Sequence, residues 1–87
     1  MTDKELERVL KALANRRRLA IVKLLKRQGE ATVGDIAEEV GLSFRATSRH
    51  LSVLYGADVL DKEQRGPQIF YRLAKQINPV VKYIITL

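Results

Sequence analysis

The sequence predicts a mainly α-helical domain with one small β-hairpin, its elements in the order α-α-α-α-β-β-α. Three observations predict it. Apolar residues recur at helical spacing in four segments between residues 3 and 56, each bounded by residues that cap or stop a helix. Two runs rich in strand formers follow, on either side of a turn containing Gly66 and Pro67. An apolar segment opened by Asn78-Pro79 then ends the chain.

In the first helix, roughly Asp3 to Ala14, Leu6, Val9, Leu10 and Leu13 form one stripe, with Lys4, Glu7, Arg8 and Lys11 between them. Asn15 caps a second helix, roughly Arg16 to Gln28, whose Leu19, Ile21, Val22, Leu24 and Leu25 give a broad buried face, and Gly29 stops it. Thr32-Val33-Gly34-Asp35 has the form of a capping box, and Ile36, Ala37 and Val40 share one face of the short third helix that it opens. Gly41 closes that helix, since it can adopt the left-handed conformation without a Cβ clash. Only Leu42 intervenes before Ser43, a good N-cap, so a fourth helix starts at once and runs to about Gly56. Two helices joined so tightly read as helix-turn-helix. Asp58 takes the left-handed position after the fourth helix. Val59 to Glu63 and Ile69 to Leu73 form the hairpin, with Gln64 to Gln68 as a basic-tipped turn. In the last helix Val80, Val81, Ile84 and Ile85 fall at i, i+1, i+4 and i+5.

Eighty-seven residues make one domain, and a chain this short buries only roughly 60 to 65% of its unfolded surface, so its core is marginal. With no Cys, neither a disulfide nor a Cys-based metal site can reinforce it. The 46% hydrophobic and 30% charged content excludes a disordered or fibrous chain, and no run approaches a membrane span. Charges interrupt Met1 to Leu10 throughout, which does not suit a secretory signal; the expectation is a soluble, cytoplasmic protein. Residues 77 to 87 carry seven large apolar side chains and one charge, Lys82. They serve either as an interface to a second copy or as a cover for the chain's own core.

The net charge is +6, and residues 45–87 hold seven basic against three acidic residues, four of those six charges. Such an excess attracts a polyanion. On the fourth helix Thr47, Leu51 and Leu54 share the inward face, leaving Arg45, Ser48, Arg49 and Ser52 outside. A helix in the DNA major groove uses such donors, Arg pairing bidentately with guanine and Ser serving bases or phosphates. Phe44 either packs against the third helix or meets a thymine methyl. Arg16, Arg17 and Arg18 sit at the positive end of a helix dipole, where they either contact phosphate or are neutralised by Asp3, Glu5, Glu7 and the carboxylates of the third helix. His50 is the only histidine, and with no Asp or Glu three or four residues away it suits a hydrogen bond to phosphate or backbone, not a metal. No Cys nucleophile, Gly-rich phosphate loop or triad is legible, so catalysis is not expected, and neither metal nor cofactor.

Leu13-Ala14-Asn15-Arg16-Arg17-Arg18-Leu19-Ala20-Ile21, Val40-Gly41-Leu42-Ser43, Thr47-Ser48-Arg49-His50-Leu51, and Arg65-Gly66 through Phe70-Tyr71-Arg72-Leu73 together resemble the ArsR-type winged helix-turn-helix regulators. The resemblance spans nearly the whole chain. It implies a homodimer joined through its first and last helices, here residues 1–14 and 77–87, that represses transcription by placing two recognition helices on a pseudo-palindromic operator. Many members sense metal through cysteines at the start of the third helix or His and carboxylates on the last; this chain has Thr32 to Ile36 and Val80 to Leu87 there and lacks both sets. Arg16 stands where relatives usually have Pro, Asp58 where they usually have Gly, and Thr47 at a position usually aliphatic.

The resulting expectation is a sequence-specific regulator of double-stranded DNA that takes no metal. Arg45, Ser48, Arg49 and Ser52 are placed at base edges with Phe44 beside them, Ser43 and His50 toward the backbone, and Arg65 with Gln68 as a wing in the minor groove. Leu6, Val9, Leu10, Val80, Val81, Ile84 and Ile85 make the dimer interface. The alternatives are a sequence-indifferent architectural DNA binder, a winged-helix module for protein interaction, and a regulator gated by a small molecule.

Overall fold

The computed structural model describes all 87 residues, Met1–Leu87. Its helices are α1 (Asp3–Leu13), α2 (Arg16–Gln28), α3 (Val33–Val40), α4 (Phe44–Gly56) and α5 (Pro79–Ile84), and its strands β1 (Glu30–Thr32), β2 (Leu60–Arg65) and β3 (Gln68–Leu73). Local capping chemistry explains most of these bounds. The Asn15 side chain accepts from the amides of Arg17 and Arg18, Thr32 from Asp35, Ser43 from Ala46, and Asn78 from Val80. Gly41 closes α3 in the left-handed region, φ 70°, and Asp58 turns the chain out of α4 at φ 61°.

Two features differ from the sequence expectation. The strands run further toward each other than Val59 to Glu63 and Ile69 to Leu73, so only Gly66 and Pro67 lie between β2 and β3. Gly66, at φ 60°, takes the first turn position and Pro67, with φ held near about −65°, the second, the φ combination of a type II′ hairpin. The second difference is β1, which was not expected at all. It pairs antiparallel with β3, giving a three-stranded sheet of order β1-β3-β2 in which Glu30 faces Arg72 and Thr32 faces Phe70. This strand roots the hairpin to the helical body through the residues that lead into α3.

One core holds the layers together. Ile21, Val22, Leu24 and Leu25 of α2 meet Ile36 of α3, Leu51 and Leu54 of α4, Val59, Leu60 and Tyr71 near the sheet, and Val81 of α5. Each of these large aliphatic side chains contributes on the order of 1.5 to 3 kcal/mol by leaving water. Val9 and Val81 therefore drop out of the expected interface, because both are buried within the chain's own core. Ile84 and Ile85 also pack against it, so α5 serves first as a cover, and Val80 is half-buried. What remains outside is Leu10 on α1, 45% exposed, with Tyr83 and Leu87, 68% and 71% exposed, at the C-terminal end. No helix is long and apolar enough to cross a membrane.

Candidate nucleic-acid interface

The outer strip of α4 owes its exposure to its inner one. Thr47, Leu51 and Leu54 are fully buried against the core, and helical geometry then turns Arg45, Arg49 and Ser52 into solvent, with Ser48 half-buried at their edge. No carboxylate pairs with Arg45 or Arg49, as the three ion pairs of the fold all belong to Arg65 and Arg72. These guanidinium donors are thus uncommitted. The hydroxyl of Ser43 accepts from the Ala46 amide at 3.1 Å, so its place is fixed by the cap it makes.

Phe44 does not pack away against α3. It is 63% exposed and, with Val33 and Gly34 of α3 and Pro67, Gln68 and Ile69 of the hairpin, lines a depression between the helix-turn-helix and the wing. An apolar ring beside a donor strip is where a thymine methyl can be met.

The three arginines at the start of α2 part company. Arg16 and Arg17 are exposed, and neither forms an ion pair with Asp3, Glu5, Glu7 or the α3 carboxylates that the sequence offered as one alternative. Arg18 instead donates from Nε to the Ala12 carbonyl at 2.6 Å and approaches His50 Nδ1 with Nη1 at 3.4 Å. His50 is half-buried on the flank of α4, and its pKa is pushed below the ordinary histidine value by burial first, then by the charges of Arg18, Arg17 and Arg49. Lys23 and Arg27, which sequence reasoning passed over, join Arg16 and Arg17 in lining a groove against Glu39 and Val40 of α3. Their spacing from Arg16, seven and eleven residues, was the helical signal that could have found them.

The wing departs most from expectation. Arg65 is not a free tip residue: it closes β2, and its guanidinium turns back to Glu30 at 2.7 Å and Glu63 at 2.9 Å while lying 4.4 Å from the centre of the Phe70 ring. Glu63 also holds Arg72 at 3.0 Å. Hydrogen bonds from Arg65 and Arg72 lower the Glu63 carboxyl to about 2, and the same carboxylates raise the Arg65 pKa. Gln68, paired across the turn from Arg65, is exposed. No group of three or more His, Cys, Asp or Glu side chains gathers at one place.

The pattern that defines the bacterial regulatory proteins of the arsR family matches residues 15–62, from the cap of α2 into β2. Over 65 residues the chain is 40% identical to the transcriptional repressor SdpR of Bacillus subtilis, covering 75% of this chain and 71% of that one. It spans 56% of a biofilm growth-associated repressor of Agrobacterium fabrum, at 37% identity over 77% of this chain. Among solved structures, a homodimeric winged helix-turn-helix DNA-binding domain from Mycobacterium bovis, described as a possible ArsR-family transcriptional regulator, superposes with a TM-score of 0.81. Its identity is 34%, over 95% of this chain and 73% of that one.

Proposed function

The chain belongs to the arsR family of bacterial regulatory proteins, and from that premise we propose that it is a homodimeric transcriptional repressor that binds a pseudo-palindromic operator in double-stranded DNA. The observation that carries this reading is the α4 strip: Arg45, Ser48, Arg49 and Ser52 present donors with no carboxylate competing for the arginines, on a helix whose other face is locked in the core. Arg45 and Arg49 read guanine edges in the major groove, Ser48 and Ser52 contact bases or phosphates, and Phe44 meets a thymine methyl. Ser43, His50, Arg16 and Arg17 hold the flanking phosphates, and the wing, with Gln68 at its turn, lies along the adjacent minor groove. For Arg65 to join it there, phosphate must draw its guanidinium away from Glu30 and Glu63.

Dimerisation follows from surface that one copy leaves uncovered. The accessible area is 5773 Å², whereas a monomer of this mass is expected to expose about 5,200 Å². Leu6, Leu10 and Ala14 line a shallow apolar depression on α1, and Tyr83 and Leu87 stand exposed at the end of the chain. Two-fold pairing through these faces sets the two α4 helices one turn of DNA apart, roughly 34 to 36 Å. Nothing in this reading asks for a metal, since the start of α3 reads Thr32 to Ile36 without a thiol.

The test is Arg49→Ala on the preferred operator. Loss of a bidentate base contact costs on the order of 1 to 3 kcal/mol and relaxes discrimination at one base pair, leaving the fold unchanged by circular dichroism. Unchanged affinity and unchanged discrimination would remove α4 as the reading element.

A further inference from the structure

Two side-chain contacts of Arg18 tie three helices together. It belongs to α2, its Nε–H donates to the Ala12 carbonyl in the last turn of α1 at 2.6 Å, and its Nη1 lies 3.4 Å from Nδ1 of His50 on α4. A guanidinium has donors only. In that contact Nδ1 must therefore be the acceptor, so it carries no proton, and the proton of the neutral ring sits on Nε2. His50 Nε2 bonds to no protein atom and is not among the buried polar atoms without a partner, so it opens to solvent. Its position on α4 puts it on the flank toward α2, one side of the outer strip, next to exposed Arg17.

We propose that Arg18 is a positioning residue that fixes His50 as the neutral Nε2–H tautomer, so that the ring donates a single hydrogen bond to a phosphate oxygen of the bound duplex. The inference rests on the DNA-binding reading above and names how one contact within it is set. The charged groups bearing on the ring are Arg17 and Arg18 of α2 and Arg49 of α4, while α1 supplies the carbonyl that anchors Arg18. None of the three arginines forms an ion pair within the fold. Protonation of Nδ1 would set an N–H against the Nη1–H of Arg18, so the charged ring and the Arg18 contact exclude one another. The phosphate contact is then made by a neutral donor for as long as the Arg18 contact holds. The charge that attracts the phosphate comes from the arginines around it.

Two measurements test this. The first needs no variant: the ¹⁵N shifts of the His50 ring in the free protein at pH 7.5 report which nitrogen is protonated. Nε2–H is expected, and a predominant Nδ1–H tautomer would overturn the proposal. The second is affinity for the selected operator at pH 8.0, 7.0, 6.0 and 5.5 for wild type, Arg18→Met and His50→Gln. Wild type is expected to bind with a flatter profile than Arg18→Met, because the Arg18 contact holds the ring neutral to lower pH. In Arg18→Met the ring titrates freely, and affinity rises roughly two- to tenfold on acidification as an imidazolium replaces the neutral donor. His50→Gln, which keeps an N–H donor but cannot titrate, stays flat. A wild-type profile as steep as that of Arg18→Met, or an Arg18→Met profile as flat as that of His50→Gln, overturns the role of Arg18. Absence of any wild-type binding to duplex DNA overturns instead the reading on which it rests.

Discussion

Thr47 is the one buried polar side chain of the reading helix, and it is the place where a single substitution should improve the protein. The residue is 0% exposed, and its Oγ1 has no hydrogen-bond partner. A buried hydroxyl without a partner costs about 1 to 3 kcal/mol relative to leaving it in water. Val replaces the hydroxyl by a methyl of similar size, fills the same space between α4 and the core, and has nearly the same helix propensity as Thr. The penalty is thus removed and nothing replaces it. Thr47→Val is expected to stabilise the fold by about 1 to 2 kcal/mol, with Tm rising by about 4 to 8 °C for each kcal/mol in a domain of this size. Urea and thermal unfolding at one fixed protein concentration measure it, the concentration being held because a dimer's stability depends on it. Thr47→Ser supplies the control: it keeps the hydroxyl, deletes a methyl, and should destabilise. Operator affinity should not change, because the side chain points away from the strip that meets DNA. A Thr47→Val protein no more stable than wild type would mean that the hydroxyl is satisfied in solution and that this account of the α4 inner face is wrong.

Other substitutions probe the cap, the interface and the wing. Asn15→Ala removes the acceptor that serves the Arg17 and Arg18 amides; it should cost about 1 kcal/mol in urea unfolding. Leu10→Asp places a charge in the exposed α1 depression, and sedimentation should show a folded monomer with weakened operator binding; an intact dimer would move the interface elsewhere. Glu63 has a folded-state pKa lowered from 4.5 to about 2, so its share of stability is present above pH 4.5 and drains away as pH falls toward 2. Glu63→Gln should flatten the pH dependence of Tm in that window, and an unchanged dependence would show that the bridges to Arg65 and Arg72 do not form in solution.

Most of the fold was legible because helix ends are written in short-range chemistry. Asn15, Gly29, Thr32 with Asp35, Gly41, Ser43 and Asn78-Pro79 each act on atoms two to four residues away, and each bounds the helix that the sequence assigned to it. Strand β1 was not legible for the opposite reason. Glu30, Ala31 and Thr32 show no strand pattern of their own and become a strand only by pairing with Phe70 to Arg72, some forty residues on. The same long-range pairing explains the misreading of Arg65, whose partner Glu30 sits on that strand. The outer face of α4 followed from the inward stripe of Thr47, Leu51 and Leu54, and the structure leaves Arg45, Arg49 and Ser52 in solvent with Ser48 half-buried. The Arg18 to His50 contact spans 32 residues and two helices, and no spacing rule within one helix could have announced it. For α5, apolar content could not say whether Val81 met a second copy or the chain's own core; its full burial within the core cluster decides for the core.

The most direct test of the central claim is selection of bound duplexes from a random DNA pool, followed by affinity for the winner and for random DNA across a salt series. The account predicts a pseudo-palindrome with half-sites one helical turn apart, bound by two chains and on the order of a thousandfold or more tighter than random sequence. Weak, salt-steep binding without sequence enrichment would contradict it and leave α4 and its neighbours as a general polyanion surface, and no binding at low salt would contradict it outright.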